Sequence, residues 1–230
     1  MLILAIDTSG QSGGITLAEA EQKSFRLVES SPIAGGTFSA QLIPTLAALL
    51  RKHGYGVKDI GGFAAASGPG SFTGLRVGLS AIKGLAETLH RPIAVVSLLE
   101  ALASQADGAG EIAAALDAGR KEVFFGMYEK STGKPGQGLR QQREELLSSQ
   151  DFLQRLSAEA PALVITSDAA IAELASASNS PINVVTRPGS EVIARIGAQK
   201  LFAGETVSVD TLDANYLRRS DAEIFFKGSR

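Results

Sequence analysis

The residues best suited to chemistry in this chain lie in one glycine-rich run, Gly68-Pro69-Gly70-Ser71-Phe72-Thr73-Gly74-Leu75-Arg76. Three glycines and a proline within seven residues predict a tight turn, and Ser71 or Thr73 can cap the helix that we expect to continue to about His90. Backbone N–H groups at such a junction can receive an anion or the edge of another protein. The run is not a Walker A loop, because Arg76 stands where a lysine would be needed. A purely structural turn is the alternative interpretation.

The helix after this run has two faces, each of which could pack against another structural element. Phe72, Leu75, Leu79, Ile82, Ala86 and Leu89 recur at helical spacing and line one of them. Gly74, Gly78, Ala81 and Leu85 form a second face of small residues. A surface helix needs one apolar stripe toward its own sheet. The second face therefore predicts close approach by another helix, from this chain or from a partner.

Two acidic turns are the remaining candidates for chemistry. Ile6-Asp7-Thr8-Ser9-Gly10 closes the first predicted strand, and Leu116-Asp117-Ala118-Gly119-Arg120 closes a corresponding strand further along. An aspartate at the end of a buried strand needs a hydrogen-bonding turn or a charged ligand. Turn formation explains each aspartate singly, whereas their paired placement favours a shared phosphate or metal cleft.

The elements that would position these residues occur twice. Up to residue 106 the pattern predicts three strands, a helix, a strand, a helix, a strand and a helix. A similar order then begins, with a polar loop at 131–138 and a helix at 143–156. We therefore expect an α/β fold with two related halves, 1–106 and 107–230, each a mixed sheet flanked by helices. The last segment could pack back on the first half.

Composition narrows the function classes. The 230 residues are 44% hydrophobic and 20% charged, as in an ordinary globular protein. The absence of cysteine excludes disulfides and thiolate chemistry and fits a reducing cytoplasm, where we expect the protein to act. The N-terminus predicts a strand rather than a signal peptide, and no apolar run is long enough to span a membrane. A net charge of −2 argues against a stand-alone nucleic-acid binder.

Three segments, residues 3–9, 68–84 and 115–124, resemble the TsaB (YeaZ) family of the actin–hexokinase–Hsp70 superfamily. The closing Asn215-Tyr216-Leu217-Arg218 is similar as well. The resemblance implies two tandem ribonuclease-H-like halves of the actin/hexokinase/Hsp70 type. It also implies a non-catalytic subunit in bacterial tRNA threonylcarbamoyladenosine biosynthesis, paired with the catalytic paralogue TsaD.

The resemblance further implies which residues matter. Docking to TsaD would use helices of the first half, with Phe38, Leu42, Leu46, Gly74, Gly78, Ala81 and Leu85. A phosphate-binding or interface loop would use Asp7, Thr8, Ser9, Gly68, Gly70, Ser71, Thr73, Arg76 and Asp117. TsaE would be a further partner, tRNA would be met only through the complex, and the chain alone could form a homodimer.

We expect no metal and no cofactor of the chain's own. Its only histidines, His53 and His90, are far apart in sequence. The turn Thr166-Ser167-Asp168-Ala169-Ala170 lacks the glycines of nucleotide-binding relatives, so ATP or ADP is expected only at an interface shared with partners. Two alternatives stay open: a self-sufficient kinase or ATPase that uses Asp7 and Asp117 around Mg²⁺, and a peptidase. The peptidase is the weaker, because no Ser/His/Asp set can be identified.

Overall fold

A computed structural model of the protein describes residues 1–131 and 138–217. In chain order its strands and helices are β1 (Leu2–Asp7), β2 (Ser12–Glu21), β3 (Ser24–Ala34), α1 (Phe38–Lys52), β4 (Ile60–Gly68), α2 (Phe72–Leu89), β5 (Ile93–Ser97), α3 (Leu98–Ser104), β6 (Gly110–Gly119), β7 (Glu122–Lys130), β8 (Leu139–Ser148), α4 (Ser149–Glu159), β9 (Leu163–Thr166), α5 (Ala169–Ala175), β10 (Ile182–Val184) and α6 (Ser190–Ala203). Among the described helices, none has the length and apolar character that a membrane crossing requires.

The chain divides into two compact units, each built on one five-stranded mixed sheet. The first unit contains residues 1–98 and 188–215, and its strand order is β3-β2-β1-β4-β5. The second unit is built on residues 99–187, with the order β10-β9-β6-β7-β8. In both, the first strand pairs antiparallel with the next strand along the chain and parallel with a later one. The predicted fold, two α/β halves of the ribonuclease-H-like type, is confirmed.

The core of the first unit lies on both faces of β1 and β4. Leu2, Leu4 and Ile6 alternate toward a cluster that includes the inner faces of α1 and α2. Helix α6 packs on the same sheet through Gly197, where an added Cβ would fall within 3.0 Å of the Ala64 Cβ. Because Ala64 alternates with residues of the α1–α2 cluster, α6 covers the opposite face. This three-layer arrangement fixes the ends of β1 and β4, where the candidate loop begins.

The domain boundaries differ from the expected halves 1–106 and 107–230 in two places. Helix α3 begins the second unit instead of ending the first. Residues 188–215 belong to the first unit, since α6 packs against β1, β2, β4 and β5. The last segment expected to pack back on the first half, residues 220–230, lies outside the described residues.

The helix predicted at 143–156 exists, but it begins six residues later than expected, at Ser149, and ends at Glu159. Residues up to Ser148 form the edge strand β8, which pairs with β7 along its length. Helix α4 begins only at Ser149, where the Ser148 hydroxyl accepts a hydrogen bond from the Asp151 amide (3.1 Å). Cross-strand pairing overrides the helix propensity of this Glu- and Gln-rich stretch. Of the polar loop predicted at 131–138, residues 132–137 lie outside the described residues.

Candidate functional site

The glycine-rich loop at 68–74 is docked on the turn that follows β1. The Ser71 amide donates to the Ser9 carbonyl oxygen (2.7 Å), and the Thr8 hydroxyl donates to the Gly74 carbonyl oxygen (2.8 Å). The Ser71 hydroxyl caps α2 by accepting from the Gly74 amide (3.2 Å). Of the two caps considered from the sequence, Ser71 is the one observed. The structure therefore brings two of the predicted segments together at one end of the first sheet.

The glycines of this junction are explained by close backbone approach. A Cβ placed at Gly70, Gly74 or Gly78 would fall within 3.0 Å of Ser9 or Thr8 atoms. Gly68 has a φ of +106°, which side chains rarely adopt. The loop is thus shaped by its contacts with the β1 turn, as in the structural-turn interpretation. Gly70, Ser71, Thr73 and Arg76 are the exposed residues of the run 68–76.

Asp7 is buried, and its carboxylate is engaged by its own turn. One oxygen, Oδ1, accepts from both the amide (2.9 Å) and the hydroxyl (2.6 Å) of Ser9. Hydrogen bonds to a carboxylate favour its ionised form and offset the cost of burial. The geometry is the turn-forming arrangement that the sequence allowed for each aspartate singly.

Asp117 lies in the second unit, at the end of β6, and is exposed. Its Oδ1 accepts from the Gly119 amide (2.7 Å), and its own amide donates to Oδ2 of Asp168 (2.8 Å). Asp168 follows β9, the parallel neighbour of β6, and its amide donates to the Thr166 hydroxyl (3.0 Å). The contribution of Asp168 was missed from the sequence; its position after a predicted strand was the available signal. A site shared by Asp7 and Asp117 stays a prediction.

Five of the seven predicted docking residues face inward, so their assignment to a partner surface is wrong. Phe38, Leu42 and Leu46 belong to the core of the first unit and are at most 5% exposed. Gly74 and Gly78 pack on Thr8. The small-residue face of α2 is therefore used largely within the chain. Ala81 and Leu85 are half-buried, and their docking role stays a prediction.

Helix α1 instead presents an exposed apolar stripe on its outer side. Its members share spacings of three and four: Ala40, Ile43, Pro44, Ala47 and Ala48. Ile43 is 52% exposed, and no residue of α1 before Arg51 is charged. An ordinary surface helix carries polar residues on that side. We call this set the α1 stripe; the signal in the sequence was a second apolar period in a helix that carries no charge before Arg51.

Two carboxylates hold the C-terminal end of α1 against the outer strands. Glu29 on β3 accepts from Lys52 Nζ (2.8 Å) and from His53 Nε2 (2.6 Å), and these hydrogen bonds lower its pKa. The Tyr55 hydroxyl donates to Glu19 on β2 (2.6 Å), and this bond, followed by one from Arg26, lowers the pKa of Glu19. The α1 stripe therefore sits on a helix fixed at its end by charge-assisted hydrogen bonds.

The two histidines occupy separate structural positions. His53 contacts Glu29, as described, while His90 is exposed and ends α2 in a left-handed conformation, with φ +51°. Arg76 lies over the Phe72 ring, 3.9 Å from its centroid, in the first turns of α2. This cation–π contact holds a positive charge beside the exposed part of the 68–74 loop. A role for Arg76 toward phosphate stays a prediction.

Two tandem ribonuclease-H-like units, the first with a glycine-rich loop docked on the β1 turn, define an actin-like α/β protein. The family model described as TsaD, tRNA N6-adenosine threonylcarbamoyltransferase, matches residues 32–211. The chain belongs to this family, and within it to the TsaB (YeaZ) proteins. The resemblance stated from the sequence is confirmed.

Two named relatives and one solved structure support that assignment. A protein of Bacillus subtilis (strain 168) named tRNA threonylcarbamoyladenosine biosynthesis protein TsaB is 35% identical over 134 residues, which span 58% of this chain but only 57% of that protein. The Escherichia coli (strain K12) protein of the same name is 29% identical over 96% of both chains. A Pseudomonas aeruginosa crystal structure, of an uncharacterized protein with similarity to peptidase YEAZ, is 27% identical. It superposes with a TM-score of 0.75 and covers 94% of this chain and 99% of that one.

Proposed function

We propose that this chain is a non-catalytic accessory subunit in bacterial tRNA threonylcarbamoyladenosine biosynthesis, acting in the cytoplasm and docked on TsaD. The observation that carries the proposal is the α1 stripe, an uncharged apolar face on the outside of a helix whose inner face already covers the sheet. Exposed apolar surface of this kind is typical of protein–protein interfaces. The membership of the TsaB family supports TsaD as the occupant.

The geometry of the 68–74 loop supports a role without catalysis. The Ser71 and Gly74 amides donate within the chain, and Asp7 accepts from Ser9. Groups that would cradle a phosphate in an autonomous ATPase of this fold are thus used to hold the loop on the β1 turn. Ser71, Thr73 and Arg76 stay exposed, so we assign any ATP or ADP contact to an interface completed by partners, TsaE among them. The chain would meet tRNA only through that complex.

Substitution of the α1 stripe tests the docking surface. Ile43→Asp should weaken binding to purified TsaD about 100-fold, measured by calorimetry. Burying the exposed half of the Ile43 side chain contributes about 1 kcal/mol, and an unpaired carboxylate in the interface costs about 2 kcal/mol more. Because Ile43 points away from the core, the thermal midpoint should stay within a few degrees of the parent's.

Val184→Asp is the matched control, since Val184 is an equally exposed aliphatic residue, 56% accessible, in the second unit. It should bind TsaD as the parent chain does. If the Ile43→Asp variant binds TsaD with the same affinity as the parent chain, the α1 stripe is not part of the docking surface. In the absence of TsaD, Ile43→Asp should also abolish a homodimer formed through α1. Sedimentation analysis would detect the change from dimer to monomer.

A further inference from the structure

Residues 204–215 follow α6 and form a segment that we call the C-terminal strap. Three contacts anchor the strap to the first unit, in addition to partly buried apolar residues that pack against its core. The Val207 amide donates to the Ile93 carbonyl oxygen on β5 (2.9 Å), and Leu212 enters the core with 6% exposure. The Asn215 amide donates to the Ser67 carbonyl oxygen (2.7 Å). Most of the residues between these anchors are exposed.

The last anchor compensates for an irregularity in the sheet. The parallel pairing of β4 with β5 shifts register between Ala66 and Gly68, so Ser67 has no partner residue on β5. Ser67 is nevertheless 7% exposed, and a buried carbonyl oxygen requires a donor. The Asn215 amide is that donor. The strap thereby completes the hydrogen bonding of the residue that directly precedes the 68–74 loop.

The same anchor borders the loop itself. A Cβ added at Gly68 would come 3.5 Å from the Asn215 carbonyl oxygen, so the end of the strap lies in contact distance of the first loop residue. Six residues further on, Gly74 is in the first turn of α2 and is fixed by Thr8. The conformation of the loop is therefore determined from both ends, by the strap on Ser67 and by the β1 turn on Gly74.

We propose that the C-terminal strap controls docking through the conformation of the 68–74 loop. While the Asn215 amide is hydrogen-bonded to the Ser67 carbonyl oxygen, the loop and the start of α2 are held in the conformation that binds the partner. Release of the strap lowers the affinity for the partner. This inference rests on the proposed function, because the partner is TsaD and α2 packs against α1, the helix that carries the α1 stripe. A short, mostly exposed segment with three anchors belongs to the parts of a fold that open locally at low free-energy cost. Binding to only one of two conformations makes affinity depend on the fraction of that conformation.

Two variants at one position test the strap in the full chain. Asn215→Pro removes the backbone donor to Ser67, whereas Asn215→Ala keeps it. Hydrogen exchange of the Ser71, Gly74 and Leu75 amides should be about tenfold faster in the proline variant than in the alanine variant, which is the reference for loss of the side chain. The dissociation constant for TsaD should rise about tenfold in the proline variant alone.

A third variant guards against a general effect of proline on folding. Leu212→Ser loosens the middle anchor without altering the Asn215 backbone, and it should speed exchange of the same three amides. Helical content and the thermal midpoint of all variants are measured by circular dichroism, which identifies a chain that has lost its fold.

The outcomes separate this inference from the proposed function. If amide hydrogen exchange in the 68–74 loop is unchanged in the folded Asn215→Pro and Leu212→Ser variants, the strap does not control the conformation of the loop. Faster exchange with unaltered TsaD affinity overturns the coupling to docking while leaving the docking proposal in place, provided that Ile43→Asp still weakens binding. Failure of the parent chain itself to bind TsaD overturns the proposed function, and the docking control falls with it.

Discussion

The most discriminating prediction concerns two glycines of the same helix, Gly74 and Gly84. An alanine Cβ at Gly74 would lie 2.1 Å from the Thr8 carbonyl oxygen, a backbone atom that cannot move aside cheaply. At Gly84 the same Cβ meets nothing within 4 Å. Alanine gains about 1 kcal/mol over glycine in a helix at either position. Substitution should therefore change stability in opposite directions.

The magnitude at Gly74 follows from the contacts that would be lost. Overpacking a buried site costs about 1–3 kcal/mol, and displacing Thr8 weakens its hydrogen bond to the Gly74 carbonyl by about 1 kcal/mol. After the helix gain is subtracted, Gly74→Ala should destabilise the chain by about 2 kcal/mol. Gly84→Ala should stabilise it by about 0.5–1 kcal/mol.

Urea denaturation followed by far-UV circular dichroism measures both effects, since the chain contains no tryptophan. The urea midpoint should fall for Gly74→Ala and rise for Gly84→Ala, with the slopes unchanged. If both variants move the midpoint in the same direction, the docking of the 68–74 loop on the β1 turn is not the reason for glycine at position 74.

Three further predictions follow from the site. Thr8→Val, which removes the donor to Gly74, should lower the free energy of unfolding by about 1–2 kcal/mol in urea titrations; an unchanged value would make that hydrogen bond irrelevant. Because the folded pKa of Glu29 lies below its ordinary 4.5, its contribution is complete above that pH and is lost as the pH falls through the folded value. The loss of stability between pH 5 and pH 3 should therefore be smaller in Glu29→Gln than in the parent chain, and an equal loss would contradict the assignment. Calorimetry of the isolated chain with Mg-ATP should show no binding, whereas saturable heat would favour the kinase alternative.

The strand, loop and helix at 60–89 could be predicted because local signals agree there. A run of small residues defines β4, the glycines demand a turn, and the apolar spacing of α2 identifies its inner face. The sequence could not identify which neighbour each of these surfaces contacts. Gly74 and Gly78 signal close approach equally well whether the neighbour is another protein or Thr8, and only the fold identifies Thr8.

The same limit explains the errors elsewhere. On α1 the inner and outer apolar periods are interleaved, so the pattern alone does not tell Leu42, which is buried, from Ile43, which is exposed. In β8 the residues favour a helix, and the pairing with β7 that overrides them is a long-range interaction. The link between Asp117 and Asp168 likewise depends on the parallel pairing of β6 with β9, which brings two chain segments to the same sheet edge.

The measurement that bears most directly on the accessory role is formation of threonylcarbamoyladenosine on tRNA in a reconstituted reaction. Threonylcarbamoyl-adenylate, ATP, TsaE and unmodified tRNA are held constant, while TsaD and this chain are added separately or together. Product should form only when both are present, and Ile43→Asp should reduce it in proportion to its weaker binding to TsaD. Modified tRNA in the reaction that contains this chain without TsaD would contradict the account.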